Sequence, residues 1–106
     1  MDKPMISKSG TEVLELVNGE KVELTLNFKK LLNVRNKKKD LYKRYNKIIM
    51  EGMTDAFDVI TILYTAYLCG LDNIDEGMTE EMFMESVPQY VYELNEVAEK
   101  LVKPKK

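Results

Sequence analysis

The sequence predicts an α+β domain, mainly α-helical, with an N-terminal β-hairpin packed on a four- to five-helix body. Three observations carry this. Residues 12–26 alternate apolar and polar side chains around an Asn-Gly pair. Residues 28–102 repeat apolar positions at three- and four-residue intervals, with capping residues between the runs. Thr54–Gly70, TDAFDVITILYTAYLCG, is the one long apolar run.

At 106 residues the chain is long enough for one domain with a real but modest core. Residues 1–10 are polar and contain Pro4, Ser7, Ser9 and Gly10, which predicts a mobile leader. The compact domain is expected over 11–103, followed by a short basic tail at 104–106.

In the hairpin, Leu14 and Leu16 alternate with charge, as do Val22, Leu24 and Leu26. A two-residue Asn-Gly loop would set Leu14 opposite Glu23 and mix the faces. A three-residue loop, Val17-Asn18-Gly19 with Gly19 left-handed, sets Leu14 opposite Val22 and Glu15 opposite Lys21, and is preferred. Asn27 then caps a helix that starts at Phe28, with Phe28, Leu31, Leu32 and Arg35 along one side. Lys37-Lys38-Lys39 has no apolar anchor and marks a break or an exposed loop. Asp40 is positioned to cap a second helix carrying Leu41, Tyr45, Ile48 and Ile49, which Gly52 closes. Whether 28–51 is two helices or one bent helix is open at this level.

In the long apolar run only Asp58, Thr61 and Thr65 interrupt the segment from Ala56 to Cys69, and they share one narrow stripe. A surface helix needs only about 100° of apolar face, so this one must be covered on several sides. It is too short for the roughly 20 residues a bilayer span requires. Thr54 or Asp55 caps its start, and Gly70 is placed to end it in the left-handed conformation. After a turn-rich LDNIDEGM, Thr79 caps TEEMFMES, with Met78 and Phe83 spaced as a hydrophobic staple. Pro88 belongs in the first turn of a last helix, Pro88–Val102, with Val91, Leu94, Val97, Ala98 and Leu101 on one face. The expected core is Leu24, Leu26, Phe28, Leu32, Phe57, Ile60, Leu63, Tyr64, Tyr67, Phe83, Leu94 and Leu101.

Catalytic chemistry finds little to work with. There is no His, hence no common general base or zinc ligand. The lone Cys69 sits in the apolar helix, where a buried inert thiol is expected. Asp72–Gly77 has the look of a calcium loop, but Ile74 and Phe83 stand where carboxylates are needed. No catalytic, cofactor-binding or metal-binding residue is expected. One Cys and no apolar stretch in MDKPMISKSG fit a cytoplasmic protein.

The net charge of −2 hides a strong asymmetry: nine Lys/Arg stand between Lys29 and Lys47, and twelve Asp/Glu with no Lys or Arg between Ile48 and Glu99. The basic segment admits three readings: a solvated face, a patch for an acidic protein surface, or a phosphate contact with Tyr42 and Tyr45 stacking on bases. The third is disfavoured because both Tyr fall on the apolar side of their helix. The asymmetry also permits copies to associate head to tail as a homo-oligomer.

The order of features resembles a known family. A short hairpin with an Asn-Gly turn runs into a helix through LTLNFKKLLNV. A basic helix follows, then an acid-capped apolar helix ending in AYLCG, then MTEEMFMESVPQYVYEL. Over residues 12–101 this is similar to the tail assembly chaperones of long-tailed bacteriophages and prophages, especially those of Gram-positive hosts. Residues 36–47 and 78–84 fall outside the likeness. The resemblance implies a small, non-enzymatic helical protein of the host cytoplasm. Such a protein coats the tape measure protein, keeps it soluble and recruits tail tube protein. It also implies a frameshift-extended form, for which the Lys105-Lys106 codons are a possible slippery site. A small nucleic-acid-binding regulator and a structural subunit retained in the particle stay open as alternatives.

A holdase needs an adaptable apolar surface, which Met side chains supply. The candidate partner-binding residues are therefore Met78, Met82 and Met84, with Lys37, Lys38, Lys39, Lys43 and Arg44 as the charged contacts. Neither a membrane nor a cofactor is implied.

Overall fold

The computed structural model describes residues 11–102. The expected leader at 1–10 and the basic end from Lys103 to Lys106 lie outside the described residues. Two strands, β1 (Thr11–Glu15) and β2 (Lys21–Thr25), are followed by α1 (Phe28–Lys37), α2 (Lys39–Glu51), α3 (Ala56–Cys69), a 3-10 turn (Ile74–Glu76), α4 (Glu80–Ser86) and α5 (Val91–Val102). The fold is α+β and mainly helical.

The hairpin takes the three-residue-loop register, with Leu14 opposite Val22 and Glu15 opposite Lys21. Gly19 has φ +92°, and its N–H donates to the Leu16 carbonyl at 2.9 Å. Asn18 Oδ1 accepts from the Glu20 N–H at 2.9 Å, so the turn closes on itself. Leu14, Leu16 and Leu24 are thereby brought to one face and buried, while Val13 points to solvent.

Helix α3 is the centre of the body. Ten of its fourteen residues are buried, and it packs against β2, α1, α2, α4 and α5. Its polar stripe is satisfied internally: the Thr61 hydroxyl donates to the Phe57 carbonyl at 3.0 Å and Thr65 to the Thr61 carbonyl at 2.8 Å. The start is doubly fixed. Asp55 Oδ1 accepts from the Asp58 N–H at 3.0 Å, and Asp58 Oδ2 accepts from the Thr54 N–H and hydroxyl, each at 2.8 Å. The Thr54 N–H hydrogen bond is the main cause that holds the Asp58 carboxyl below the usual range.

Four expectations are corrected, and one open question is answered. Gly70 is right-handed (φ −79°), and its lack of a side chain serves close approach instead, since a Cβ there would overlap the Glu23 carbonyl of β2. Lys38 caps α2 without a side-chain hydrogen bond, and Asp40 lies in the first turn. Residues 28–51 form two helices broken at Lys38, whose φ of −129° leaves helical space. The last helix begins at Val91 and not at Pro88, and Gln89 Nε2 donates to the carbonyls of Met84 and Val87 across the gap. Among the expected core residues, Phe28, Leu32 and Phe57 are exposed. Helix α1 buries Leu31 and Val34 in place of the Phe28–Leu32 ridge, and Phe57 lies on the first turn of α3, ahead of its buried stretch.

Candidate functional site

Near the N-terminal end of α3 the packing opens. The break at Pro88 separates α4 from α5, leaving a groove of about 170 Å³ against the first turns of α3. Phe57 and Ile60 of α3, Met84 of α4, Val87 of the junction, and Val91 and Leu94 of α5 line it. Phe57 is 69% exposed and Val91 53% exposed, and Tyr90 and Tyr92 beside Val91 are also open. Single exposed apolar side chains are ordinary; a contiguous set around a concavity marks a contact surface.

Acidic residues adjoin the groove residues in the chain. Asp55 precedes Ala56, Glu85 follows Met84, and Glu93 lies between Tyr92 and Leu94; all three are exposed. The first turns of α3 and α5 bring partial positive charge, which Asp55, Asp58 and Glu93 oppose.

The structure divides the three methionines. Met84 lines the groove and Met82 is half exposed on α4. Met78 is half-buried and its backbone is clamped: its carbonyl accepts from the Tyr64 hydroxyl at 2.7 Å, and its N–H donates to Tyr67 Oη at 2.9 Å. Both rings pack against Phe83, at centroid distances of 5.4 Å and 5.1 Å, so the segment leading into α4 is anchored to the core.

The basic residues divide too. Lys37 pairs with Asp75 at 3.3 Å, and Arg44 makes two hydrogen bonds to Glu80, which raise the guanidinium pKa further. Lys38, Lys39 and Lys43 are exposed at the α1–α2 corner without an ion-pair partner among the described residues. Tyr45 is buried against Tyr42, with ring centroids 5.9 Å apart, and is not offered to a stacking base.

No reactive group faces the groove. Cys69 is buried at the other end of α3, and burial pushes its thiol up to about 12. What the groove can do is hold an apolar side-chain ridge, such as that of an amphipathic helix. Sequence reasoning missed Phe57 and Val91 as surface residues. The available signal was Tyr90-Val91-Tyr92, an apolar run directly after Pro88 that the Leu94–Ala98–Leu101 stripe does not account for. No family model, curated protein or solved structure matches this chain.

Proposed function

We propose that this protein is a non-enzymatic tail assembly chaperone. It holds apolar helical segments of a tape measure protein in the α3–α4–α5 groove and keeps that partner soluble while tail tube protein is recruited. The observation that carries the reading is the groove itself: an open apolar surface lined by Phe57, Met84 and Val91, on a domain without His and with its only thiol buried. The order of elements, from the Asn-Gly hairpin to the Pro88 junction, adds the family resemblance. Met84 supplies the adaptable contact, since an unbranched thioether adjusts to varied side chains along a long client.

Co-expression with the tape measure protein tests the function. The partner is expected in the soluble fraction when this protein is present and in the pellet when it is absent. Equal solubility in both cases overturns the proposal.

A further inference from the structure

The break between α1 and α2 falls in Asn36-Lys37-Lys38-Lys39-Asp40, a run with no apolar side chain to bury, so its charges stand exposed at an elbow. Two open concavities meet there, of about 660 Å³ and about 620 Å³, and they share Lys39 and Asp40. Arg35, Tyr42 and Lys43 line the first, and Lys38, Arg44 and Glu80 line the second. Together they form one trough, from the end of α1 across the start of α2 to the start of α4.

The trough holds more positive charge than the fold uses. Glu80 takes up Arg44, and Asp75 takes up Lys37. Arg35, Lys38, Lys39 and Lys43 are exposed without an ion-pair partner among the described residues, and Asp40 is the one carboxylate left beside them. Like charges held this close repel one another, so an anionic ligand relieves a cost that the free protein carries. Lys39, Tyr42 and Lys43 stand at i, i+3 and i+4, on one side of α2. Tyr45 is buried, but Tyr42 is only half-buried and lines the trough among the cations.

We infer that the trough binds a single-stranded polynucleotide, its phosphates on Arg35, Lys38, Lys39 and Lys43 and a base against Tyr42. A positive channel with an aromatic side chain among its cations suits such a strand, because it offers charge to the backbone and a ring to the bases. A duplex is read by a convex element entering its groove, and this surface is concave. An acidic helix would need an open apolar anchor pocket beside the charges, whereas Leu41 and Tyr64, which also line the trough, are buried. The trough shares no lining residue with the apolar groove, so this inference stands apart from the client-holding reading.

Fluorescence polarisation of a labelled oligouridylate of about 12 nucleotides, with the whole chain, tests it. Wild type is expected to bind at about 0.05 M salt and to lose about 20- to 50-fold in affinity by about 0.2 M, as three or four phosphate contacts require. Lys39→Gln/Lys43→Gln should weaken binding about tenfold or more at the lower salt and flatten the salt slope by about 1.4. Asp40→Asn should tighten binding by about fivefold, the effect of removing one repelling charge at contact distance in water. Tyr42→Leu should weaken binding about fivefold or more, while Tyr42→Phe binds like wild type. Tyr42 packs against the core, so circular dichroism accompanies its variants; the exposed Lys39, Lys43 and Asp40 variants decide the matter if Tyr42→Leu fails to fold.

An oligothymidylate of equal length and a polyglutamate of equal charge are the comparison ligands. Tighter uridylate binding assigns the trough to RNA, tighter thymidylate binding to single-stranded DNA, and equal binding to either strand. Polyglutamate bound as tightly as the oligonucleotides would overturn the inference in favour of an acidic protein partner. No binding by wild type, wild-type affinity in the lysine variant or in a folded Tyr42→Leu, or no gain with Asp40→Asn would each overturn it outright.

Discussion

Arg44 of α2 and Glu80, the first residue of α4, meet as a two-pronged pair, with Nη1 donating to Oε2 at 3.0 Å and Nη2 to Oε1 at 2.8 Å. The pair ties the basic half of the chain to the acidic half inside one molecule. Its planar fork satisfies both carboxylate oxygens, but the Arg44 side chain remains half exposed. Arg44→Ala should therefore cost only about 0.5–1 kcal/mol in urea unfolding. Lys37→Ala, which loses a single exposed contact to Asp75, should fall within about 0.5 kcal/mol of wild type. A larger loss at Lys37 than at Arg44 would contradict this ranking.

Gly70 is predicted to be intolerant of even one methyl group. Its Cα faces the Glu23 backbone where α3 ends against β2, and an added Cβ must push strand and helix apart. Gly70→Ala should cost about 1–3 kcal/mol, the usual penalty of overpacking. Backbone entropy alone predicts the opposite sign, since at this right-handed φ alanine has fewer unfolded conformations to lose than glycine. Thermal melts of the single variant decide between the two.

The two phenylalanines Phe83 and Phe28 should behave oppositely. Phe83 is fully buried against the Tyr64 and Tyr67 rings, so Phe83→Ala should cost about 3–5 kcal/mol. Phe28 is largely exposed, and Phe28→Ala should leave stability within about 0.5 kcal/mol. Urea unfolding of both variants checks the contrast, and equal losses would mean that α1 turns Phe28 inward.

Much of this was legible in the chain. Asn18-Gly19 between alternating runs determined the hairpin register, because only one loop length puts Leu14 and Val22 on a shared face. The long apolar run identified α3, because so wide a face has to be covered. The exposed side of α1 was not legible. Its apolar residues form two ridges, Phe28–Leu32 and Leu31–Val34, and helical periodicity is equally satisfied by burying either. Tertiary packing selected the second. The groove was hidden for a similar reason. It exists because α4 ends at Ser86 and α5 begins only at Val91, so Val91 stands at the end of the helix, ahead of the buried Leu94.

High pH should destabilise the fold through Cys69 and Tyr45. Burial raises the Cys69 thiol from 9.0 to about 12 and the Tyr45 phenol from 10.0 to about 12. Each group favours its neutral form in the folded state. The stability it contributes is complete below its ordinary value and is lost as pH rises toward 12. The unfolded chain releases the thiol proton first, so stability should begin to fall near pH 9, by up to about 1.4 kcal/mol per pH unit for each group. In Cys69→Ala the decline should start about one unit higher, where Tyr45 takes over. Melting temperatures between pH 8 and 11 test this; the same onset in both proteins would remove Cys69 as the cause.

The most direct test of the central claim is the soluble fraction of tape measure protein co-expressed with the double variant Phe57→Glu/Val91→Glu. Both positions line the groove and are exposed, so the fold should persist while the apolar surface is lost. A matched control, Asn33→Glu/Asn36→Glu, adds charge on the exposed side of α1 near the α1–α2 corner and leaves the groove intact. The groove variant should leave the partner in the pellet and the corner variant should keep it soluble. A folded groove variant that still holds the partner in solution would contradict it.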